Sequence, residues 1–594
     1  MEKRWVIKNS KANIEELSRK SFISKVIAKI LVNRNISTTE EIEKFLKVSL
    51  DDTHDPFLME DMDKGTDIIS EDITAGNKIA IYGDYDVDGV ASTTILYIAL
   101  KKVGANVIYY IPDREKDGYG LNENSLYSLK EQGVKTILTC DNGIAAINEV
   151  KKCKEFGMNI VITDHHDLPY EDGDNTKVII PKADAVINPK RLDCNYPFKL
   201  VCGATVAYKF SLALYIKRNI DTSILKDLLV FAGVATICDV VDLIDENRVI
   251  AKYAIDVLNG TVNNVGMRAL IEACNLQDKE INSYSIGFVL GPCINASGRL
   301  ETAKMAVDLF VSKEYEKCIE IAKKLVELNK TRKMMTEEAV ESVIKQIENS
   351  DIINDKVLVV LDKEIHESLA GIIAGRIKER YNRPTIVLTS GSNNIIKGSG
   401  RSIEEYNMFE ELTKVKENFL KFGGHPMAAG MSLESCNVDK LRRELNENCA
   451  LDENDLIKKY TIDCSFKIGN INNQLVYDIN MLEPFGKGNH RPVLGDKGVE
   501  VNKILVFGEE NNVIKFEFAN SPDGMIFENV ENVSNNIKAW YGEEYGEIVS
   551  YDRYKTITLP VGCKMDILYS PTFNKYNGNI NIQLKIVDYR KMKV

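Results

Sequence analysis

Three carboxylates stand within five residues of one loop, and they are the first groups in this chain that could do chemistry. They are Asp84, Asp86 and Asp88. The loop Gly83–Gly89 directly follows the apolar run Ile79–Tyr82, which predicts a β-strand. Unpaired carboxylates this close raise each other's pKa values, and a bound cation removes that penalty. The alternative to a cation site is an acidic turn exposed to solvent, and it stays open at this point. A calcium loop of the EF-hand type is excluded, because its twelfth position needs a glutamate but holds Ile95, and because a strand precedes it.

Further metal-binding side chains follow later apolar runs. They are Asp141 in Cys140–Gly143, Asp164, His165 and His166 after Ile160–Thr163, and Asp239 in Ala235–Asp242. In an open parallel sheet, ligands bind at the carboxyl ends of the strands, so distant segments can converge there. Carboxylates with one or two imidazoles suit Mn²⁺ or Mg²⁺ better than zinc or copper. A lone Asp-His-His is more often an ordinary loop. Here, however, four segments with potential metal ligands lie at strand ends or on the inner face of one domain, which favours a single metal centre.

The elements that must position these side chains are short apolar strands that alternate with helices. Strands are predicted at 79–82, 107–111, 136–139, 160–163 and 185–187, with a helix at Val90–Val103. Continuous apolar strands between helices predict a mostly parallel sheet covered on both faces. Residues 302–350 are highly charged, with apolar positions on one helical face, and predict a long helix or helix pair.

Two regions follow this helix. The strand Lys356–Leu361 opens a second α/β region that runs to about Asn448. Beyond it, apolar and polar residues alternate around 514–518 and 580–586, and Asn577-Gly578 is a hairpin turn signal. The last part is therefore predicted to be an all-β module of barrel size.

Two glycine-rich segments of the second α/β region carry side chains that could hold a phosphate. Gly398–Ser402 combines flexible backbone amides with the guanidinium of Arg401, and such a segment can wrap a phosphate. Gly423–His425 is a second turn that carries a hydrogen-bond donor. In isolation each segment is more often a plain turn.

Composition narrows the class of protein. A length of 594 residues predicts three or four domains, and the 44% hydrophobic and 28% charged residues are globular values. The net charge of -12 argues against nucleic-acid binding through bulk positive charge. No apolar run is long enough for a membrane helix, and the first residues lack the apolar core of a signal peptide. Twelve cysteines without a C-x-x-C pair indicate free thiols in a reducing cytoplasm and no structural zinc site.

Together these motifs closely resemble the DHH phosphoesterase superfamily and, within it, the RecJ family of single-stranded-DNA exonucleases. The matching segments, in the family's order, are Asp55–Phe57, Gly83–Gly89, Gly118–Leu121, Asp164–His166, Asn188–Pro189, Gly291–Arg299, Gly398–Ser402, Gly423–His425 and Pro484–Asn489. The resemblance implies an α/β fold: a parallel-sheet DHH domain, a long helix, a second smaller α/β domain and an all-β OB-like barrel. We expect an N-terminal helical segment at 1–50, the DHH domain at 51–302, the helix at 303–350, the DHH-associated domain at 351–452 and the OB fold at 453–594.

The resemblance also implies a site for two ions, Mn²⁺ or Mg²⁺. By position, Asp86 binds the first ion, which Asp84 reaches directly or through water, and Asp141 bridges both ions. His165, Asp88 and Asp239 complete the coordination of the second ion. The catalytic set adds His166, which faces the phosphate or the leaving oxygen, and Asp164, which supports the histidines from behind. Two cations about 3.5–4 Å apart activate water and stabilise the leaving oxygen, so no nucleophilic Ser or Cys is needed.

Substrate contacts are implied mainly in the DHH-associated domain. The implied residues are Ser399, Arg401, Gly424, His425 and His366, together with Arg114 and Arg299 of the first domain. A buried structural role for Arg299 stays open. The chain departs from the family's usual pattern at Cys293, at Ile365 and at Glu367-Ser368. These departures surround the region implied to hold the strand and not the metal site.

The activity implied by the resemblance is 5′→3′ hydrolysis of single-stranded DNA to 5′-mononucleotides in recombination and repair. Implied partners are the DNA strand, a helicase and a single-stranded-DNA-binding protein, and we expect a cytoplasmic monomer with no membrane contact. Two alternatives stay open. One is an oligoribonuclease or a linear or cyclic dinucleotide phosphodiesterase of the same superfamily. The other is a non-catalytic replication factor that has lost its metal ligands. Every expected ligand position is filled in this chain, which argues against that alternative.

Aromatic residues of the predicted barrel are candidates for base stacking, although each alone is more often part of the core. These residues are Tyr569, Phe573, Tyr576, Trp540 and Tyr541.

Overall fold

The chain folds into two compact units. The computed structural model describes residues 3–9, 11–114, 118, 120–171, 174–391, 395–552, 554–576 and 578–592. The first unit contains residues 49–458, and the second contains residues 3–48 together with 459–594. The predicted N-terminal segment therefore packs with the predicted β module, and it includes one strand besides its helices. Its elements are β1 (Lys3–Ile7), α1 (Ile14–Ser21), α2 (Lys25–Val32) and α3 (Thr39–Leu46).

The first unit is built around a parallel sheet. Its elements up to the sheet's last strand are α4 (Met62–Ala75), β2 (Lys78–Tyr82), α5 (Val87–Lys102), β3 (Asn106–Tyr110), α6 (Glu123–Glu131), β4 (Val134–Cys140), α7 (Ile147–Glu155), β5 (Asn159–Thr163), β6 (Tyr170–Glu171), β7 (Asp174–Val178) and β8 (Ala185–Ile187). The sheet order is β3-β2-β4-β5-β8, and every neighbouring pair is parallel. Each strand predicted for this sheet is found within two residues of its expected bounds.

A helical region follows the sheet. Its elements are α8 (Gly203–Lys217), α9 (Leu229–Cys238), α10 (Asp245–Leu258), α11 (Val265–Ala273), α12 (Ser283–Ser285), a π-helical turn (Ile286–Leu290), α13 (Gly291–Leu300), α14 (Lys304–Val311) and α15 (Tyr315–Glu348). The predicted long helix is thus α15, with the short α14 before it. Helix α5 is apolar or small on nearly all sides and is buried along most of its length, as expected for a helix enclosed by other elements.

The second α/β region has a mixed sheet. Its elements are β9 (Leu358–Leu361), α16 (Ala370–Tyr381), β10 (Thr385–Ser390), β11 (Ile395–Arg401), α17 (Met408–Lys414), β12 (Phe419–His425), β13 (Ala428–Glu434) and α18 (Val438–Glu447). The order is β12-β13-β11-β10-β9, in which only β9 and β10 run parallel. Antiparallel pairing brings Ser399 and Arg401 on β11 beside the β12–β13 hairpin that carries His425.

The second unit contains a closed barrel. Its remaining elements are β14 (Lys458–Ile462), β15 (Cys464–Ser465), α19 (Asn473–Asn480), β16 (Leu494–Phe507), β17 (Val513–Phe518), β18 (Gly524–Phe527), α20 (Val530–Tyr541), β19 (Ile548–Ser550), β20 (Lys555–Ile557), β21 (Lys564–Tyr576) and β22 (Asn579–Lys591). Strand β16 pairs with both β17 and β21, which closes the ring β16-β17-β18-β22-β21. The predicted fold class is confirmed, with helices added around the barrel.

Two details complete the fold. The hairpin predicted at Asn577-Gly578 joins β21 and β22, where Gly578 has a φ of 77° and Asn577 lies outside the described residues. Tyr119 of the Gly-Tyr-Gly motif lies outside them as well. Among the helices that the structure describes, none combines the length and apolarity that a membrane span requires.

Candidate metal centre

All six predicted metal-binding side chains converge at the carboxyl edge of the parallel sheet. The loop after β2 lies beside the end of β4, at the point where the chain changes direction across the sheet. Three groups of side chains have ligand atoms within 4.8 Å of one another. These groups are Asp84 with Asp86 and Asp141, Asp88 with His165 and Asp239, and Asp141 with His165 and His166. Asp141 and His165 each belong to two groups, so the clusters are continuous.

Helix N-termini fix two of the aspartates. The carboxylate of Asp86 caps α5 by accepting hydrogen bonds from the backbone N–H groups of Asp88 and Gly89, at 2.9 and 3.1 Å. The carboxylate of Asp88 accepts from the backbone N–H groups of Gly203 and Ala204, at 2.6 and 2.7 Å, at the start of α8. The partial positive charge of a helix N-terminus stabilises a carboxylate there. Each aspartate therefore keeps a fixed orientation toward its neighbours.

A sharp turn presents Asp141. Its backbone has a φ of 60°, in the left-handed region, immediately after β4. The side-chain amide of Asn142 donates to the carbonyl oxygens of Tyr82 and Cys140, at 3.2 and 2.9 Å, and ties this turn to β2. A Cβ atom at Gly203 would lie 2.8 Å from Oδ1 of Asp141, so only glycine fits where α8 meets this carboxylate.

His165 presents a lone pair to the carboxylates. Its Nδ1 lies 3.1 Å from the carbonyl oxygen of Val201, which can only accept, so Nδ1 carries the proton and Nε2 does not. Nε2 lies 3.1 Å from Oδ1 of Asp141, 3.4 Å from Oδ2 of Asp88 and 3.9 Å from Oδ2 of Asp239. Lone pairs that face one another at these distances repel unless a cation lies between them. Burial lowers the pKa of His165 and keeps the ring neutral, as a metal ligand must be.

Asp164 uses both carboxylate oxygens to hold the two histidines. Oδ2 accepts from the backbone N–H of Ile144 at 2.9 Å. Oδ1 accepts from the backbone N–H groups of His165 and His166 at 2.7 and 3.1 Å, and from Nδ1 of His166 at 2.8 Å. Burial opposes ionisation of Asp164, but His166, His165 and these hydrogen bonds outweigh it and lower its pKa to about 2. Asp164 is therefore an ionised positioning group, and it points at His166.

Four carboxylates of the cluster are in surroundings that favour a bound proton or cation. Burial, and then the charges of neighbouring aspartates, raise the pKa values of Asp84, Asp86 and Asp141 above their ordinary range. The same causes raise the pKa of Asp239 to about 8. Burial lowers the pKa of His166, but Asp164 and then Asp239 and Asp84 outweigh it and raise that pKa to about 9.

The donor set fits divalent cations. Oδ1 of Asp84 and Oδ1 of Asp141 are buried and accept no hydrogen bond. Buried polar atoms normally have a partner, so these two oxygens mark positions where a ligand is expected. Carboxylate oxygens with one neutral imidazole match the preferences of Mn²⁺ and Mg²⁺. Cations here would also remove the repulsion that raises the carboxylate pKa values.

Like charges crowd beside the metal cluster. The guanidinium of Arg114 lies 5.0 Å from the ring of Tyr85, within the Asp84–Asp86 loop. Burial and then the positive charges of Arg114 and Arg332 lower the pKa of Arg299 to about 10. Burial and then Arg114 lower the pKa of Arg401. An anion bound among these guanidinium groups would relieve their mutual repulsion.

Ser399 and Arg401 converge on the start of α16. A Cβ atom at Gly371 would lie 2.7 Å from Nη2 of Arg401 and 3.3 Å from Oγ of Ser399. A guanidinium, a hydroxyl and a helix N-terminus together provide donors for a phosphate. Arg299 connects the two domains of this unit, because its Nη1 donates to the carbonyl oxygen of Ser368 at 2.5 Å.

The other predicted substrate residues are placed as follows. Nδ1 of His366 lies 2.9 Å from Oγ of Ser368, within the second domain. His425 lies 3.4 Å from the carboxylate of Asp167, the residue after the Asp-His-His triplet, and both side chains are exposed. Gly424 has a structural reason to be glycine, because a Cβ atom there would lie 2.3 Å from the carbonyl oxygen of Ala428 across the hairpin.

Comparison with known proteins identifies the family. The model of the DHH family N-terminal domain matches residues 78–234, the DHHA1 domain matches 354–451 and the RecJ OB domain matches 462–588. The single-stranded-DNA-specific exonuclease RecJ of Bacillus subtilis (strain 168) is 36% identical over 521 residues, which cover 87% of this chain and 64% of that protein. The RecJ of Escherichia coli (strain K12) is 32% identical over 71% of this chain and 74% of that protein. The chain belongs to the RecJ family.

Solved structures of a RecJ share the fold. RecJ from Thermus thermophilus in complex with Mn²⁺ matches 100% of this chain and 80% of that one, with a TM-score of 0.81 and 22% identity. The same protein in complex with Mg²⁺ gives a TM-score of 0.76 and 21% identity. The domain order of the RecJ family is therefore retained along the whole chain.

Some residues of this RecJ-family site could not be named from sequence patterns. The backbone amides of Gly203 and Ala204 hold Asp88 across 115 and 116 residues of chain. Oδ1 of Asn295 accepts from the backbone N–H of Val87 at 3.1 Å and fixes the start of α5. Arg332 joins the cation cluster from α15, where it is one of many charged helix residues. Only the glycine at 203, the first residue of the apolar helix α8, offered a signal.

The aromatic candidates in the barrel separate into core and surface. Tyr569 is fully buried and donates its hydroxyl to the carbonyl oxygen of Phe466, so the stacking role considered for it is wrong. Trp540 and Tyr541 pack against the barrel core. Phe573 lies on β21 with its ring centre 4.8 Å from that of the exposed Tyr477. The side chain of Tyr576 lies outside the described residues.

Proposed function

We propose that the chain is a metal-dependent exonuclease that hydrolyses single-stranded DNA from the 5′ end to 5′-mononucleotides, in recombination and repair. The observation that carries the proposal is the juxtaposition of two features in one RecJ-family unit. One is a cluster of five aspartates and His165 with unpartnered buried oxygens, and the other is a set of arginines directly beside it. An acidic site that binds metal ions can hydrolyse a phosphodiester, and the arginines beside it would hold the DNA phosphates.

The aspartates and His165 would hold two Mn²⁺ or Mg²⁺ ions. Asp86 and Asp84 face one position, Asp88, His165 and Asp239 face the other, and Asp141 belongs to both sides of the cluster. When bound, such ions neutralise the phosphate and lower the pKa of the attacking water. Mn²⁺ and Mg²⁺ complexes of the Thermus RecJ support this choice of metal.

His166 is the proton-carrying group of the proposal. Asp164 accepts from its Nδ1 and fixes the ring, and Nε2 would donate to a phosphate oxygen or to the leaving oxygen. The raised pKa, about 9, keeps the ring protonated near neutral pH. Because Asp164 is itself anchored by Ile144, the donor position is set by the fold and not by the substrate.

The arginines would set which end of the chain enters. Arg114 next to the metal loop, together with Ser399 and Arg401 at the start of α16, forms a compact anion site that suits a terminal phosphate. A terminal phosphate held close to the metals gives mononucleotide release from that end. Arg299 and Arg332 extend the positive surface toward the next phosphates of the strand.

Partners and location are further parts of the proposal. The second unit carries the neighbouring rings of Tyr477, which is exposed, and Phe573, which is partly exposed, and these rings would stack bases of the single strand. A helicase and a single-stranded-DNA-binding protein would supply that strand. We place the enzyme in the cytoplasm as a monomer. All twelve cysteines are free thiols, which supports a reducing compartment.

One assay tests the proposal. Single strands of DNA and RNA, labelled at either end, are incubated with Mn²⁺ and the purified protein, with Asp141→Asn as the inactive variant. Asp439→Asn, on the exposed first turn of α18, is the matched control. We expect the 5′ label on DNA to appear first, as a mononucleotide, and only with wild type and the control. Release from the 3′ end first, a preference for RNA or dinucleotides, or full activity of Asp141→Asn would refute it.

A further inference from the structure

Two cysteine sulfurs touch at the junction of three helices of the first unit. Cys274 ends α11 and Cys293 lies on α13, and their Sγ atoms are 3.8 Å apart. Cys293 is buried, whereas Cys274 is partly exposed and offers a route for a small oxidant. A disulfide needs a separation of about 2.05 Å, so the sulfurs must close by only about 1.8 Å. Cys274 is the C-cap of α11 and the left-handed residue Asn275 follows it, so this sulfur lies at a helix end.

We propose that Cys274 and Cys293 form a reversible disulfide, a redox modification site that weakens the grip of the arginine cluster on single-stranded DNA. The existence of the disulfide is independent of the proposed function, and its effect on DNA rests on that function. Neither cysteine contacts the metal cluster described above.

The environment of Cys293 favours the reactive thiolate. The side-chain amide of Asn329 on α15 donates to Sγ of Cys293 at 3.4 Å. The hydrogen bond from Cys274 lowers the pKa of Cys293 against the effect of burial, and Asn329, Lys333 and Arg332 lower it further. Reactive cysteines have this kind of electropositive, hydrogen-bonded surrounding.

The oxidant of the proposal is hydrogen peroxide. The Cys293 thiolate attacks one peroxide oxygen, the O–O bond breaks, and the departing hydroxide takes up a proton to give water. Cys274 then attacks the sulfur of the resulting sulfenic acid, an S–S bond forms, the S–O bond breaks, and a second water leaves with the Cys274 proton. In total, two thiols and one peroxide give one disulfide and two waters. A dithiol such as dithiothreitol reverses the change.

Asn329 couples this pair to the arginine cluster. Its Oδ1 accepts from Nε and Nη2 of Arg332, at 3.1 and 2.9 Å, while its amide nitrogen donates to Cys293. Disulfide formation draws Sγ of Cys293 away from Asn329 and so loosens the hydrogen-bonded chain that positions Arg332. Helix α13 also carries Arg299, whose pKa is lowered by burial and then by the positive charges of Arg114 and Arg332. Losing one charge-assisted contact of the cluster should weaken DNA binding about 5-fold.

The test separates the disulfide from its effect. Metal-free full-length protein is treated with hydrogen peroxide, and cross-linked peptides are identified by mass spectrometry under non-reducing conditions. Anisotropy of a dye-labelled oligo(dT) strand then reports affinity for the reduced and oxidised forms. We expect a Cys274–Cys293 cross-link, an affinity loss of about 5-fold and full recovery with dithiothreitol. Cys274→Ser should show neither the cross-link nor the loss, whereas Cys436→Ser, which removes an exposed cysteine, should behave as wild type.

Three results would overturn parts of the proposal. Oxidation of Cys436 without any cross-link between Cys274 and Cys293 would remove the modification site. The cross-link with unchanged affinity would remove the coupling through Asn329. If the reduced protein binds no single strand, the proposed function and the coupling fail together, while the cross-link is still read directly from the peptides.

Discussion

Without bound cations, the metal centre should lose stability as the pH rises through neutrality, and Asp239→Asn should reduce that loss. Burial, and then the charges of Asp88 and Asp86, raise the pKa of Asp239 to about 8 in the folded protein. An unfolded aspartate has a pKa of about 3.9. The folded state therefore keeps a proton that the unfolded state has already released between these two values. Stability falls with rising pH in this window, because the unfolded state binds fewer protons.

The size of the effect follows from the shift. Each unit of pKa difference corresponds to about 1.4 kcal/mol, so a rise from pH 5 to pH 8 costs at most about 4 kcal/mol for one such group. Neighbouring aspartates share this penalty, so removing Asp239 alone should recover about 2 kcal/mol. Added Mn²⁺ should restore the wild type at pH 8, because a cation favours the ionised carboxylates that high pH produces.

The assay must report on the first unit. Trp5 and Trp540 both lie in the second unit, so tryptophan fluorescence would follow the other half of the chain. Hydrogen exchange of peptides around Gly203 and Ala204 in EDTA, corrected for the intrinsic rate at each pH, measures opening of the site itself. Asp439→Asn again serves as control. An opening free energy that does not change between pH 5 and pH 8, or the same slope in Asp239→Asn as in wild type, would refute the reasoning.

Three further predictions concern the residues around the cluster. Gly203→Ala should lower the initial rate of hydrolysis at least about 10-fold, because its Cβ would push Asp141 aside. Gly375→Ala is the control, because a Cβ there meets nothing within 4 Å, and its initial rate should equal that of the wild type. Arg401→Met should reduce the slope of log affinity against log salt by about 0.7, as expected for one lost phosphate contact, and titrations at several salt concentrations measure it. Asp164→Asn should return the pKa of His166 toward its ordinary value and lower the single-turnover rate about 10²–10⁴-fold above neutral pH. An unchanged pH–rate profile would contradict the role given to Asp164.

The sheet and its ligand-bearing edge were predictable because they depend on local pattern. Strands buried on both faces, such as Ile160–Thr163, are continuous apolar runs, and the residues after them must lie at one edge. That rule alone places Asp84, Asp141 and His165 together. Helix α5 starts three residues earlier than its apolar pattern predicts, because Asp86 caps it and Val87 is already helical.

Features that depend on packing across the chain could not be predicted. The amides that hold Asp88 come from α8, and no spacing rule links residue 88 to residue 203. Arg332 lies on a helix rich in exposed charges, and only the folded chain brings it beside Arg299. Likewise, nothing in the sequence pairs Lys3 with Asp588, whose 2.6 Å ion pair joins the N-terminal strand to the barrel.

A titration of metal-free protein with Mn²⁺ tests the two-metal centre most directly. Bound Mn²⁺ per chain is measured alongside hydrolysis of a 5′-labelled single DNA strand, with wild type and Asp141→Asn in parallel. The two-ion arrangement predicts that activity appears only as the wild type fills two sites per chain, and that Asp141→Asn loses at least one ion and its hydrolysis. Full activity in EDTA, or two bound ions and normal rates in Asp141→Asn, would contradict it.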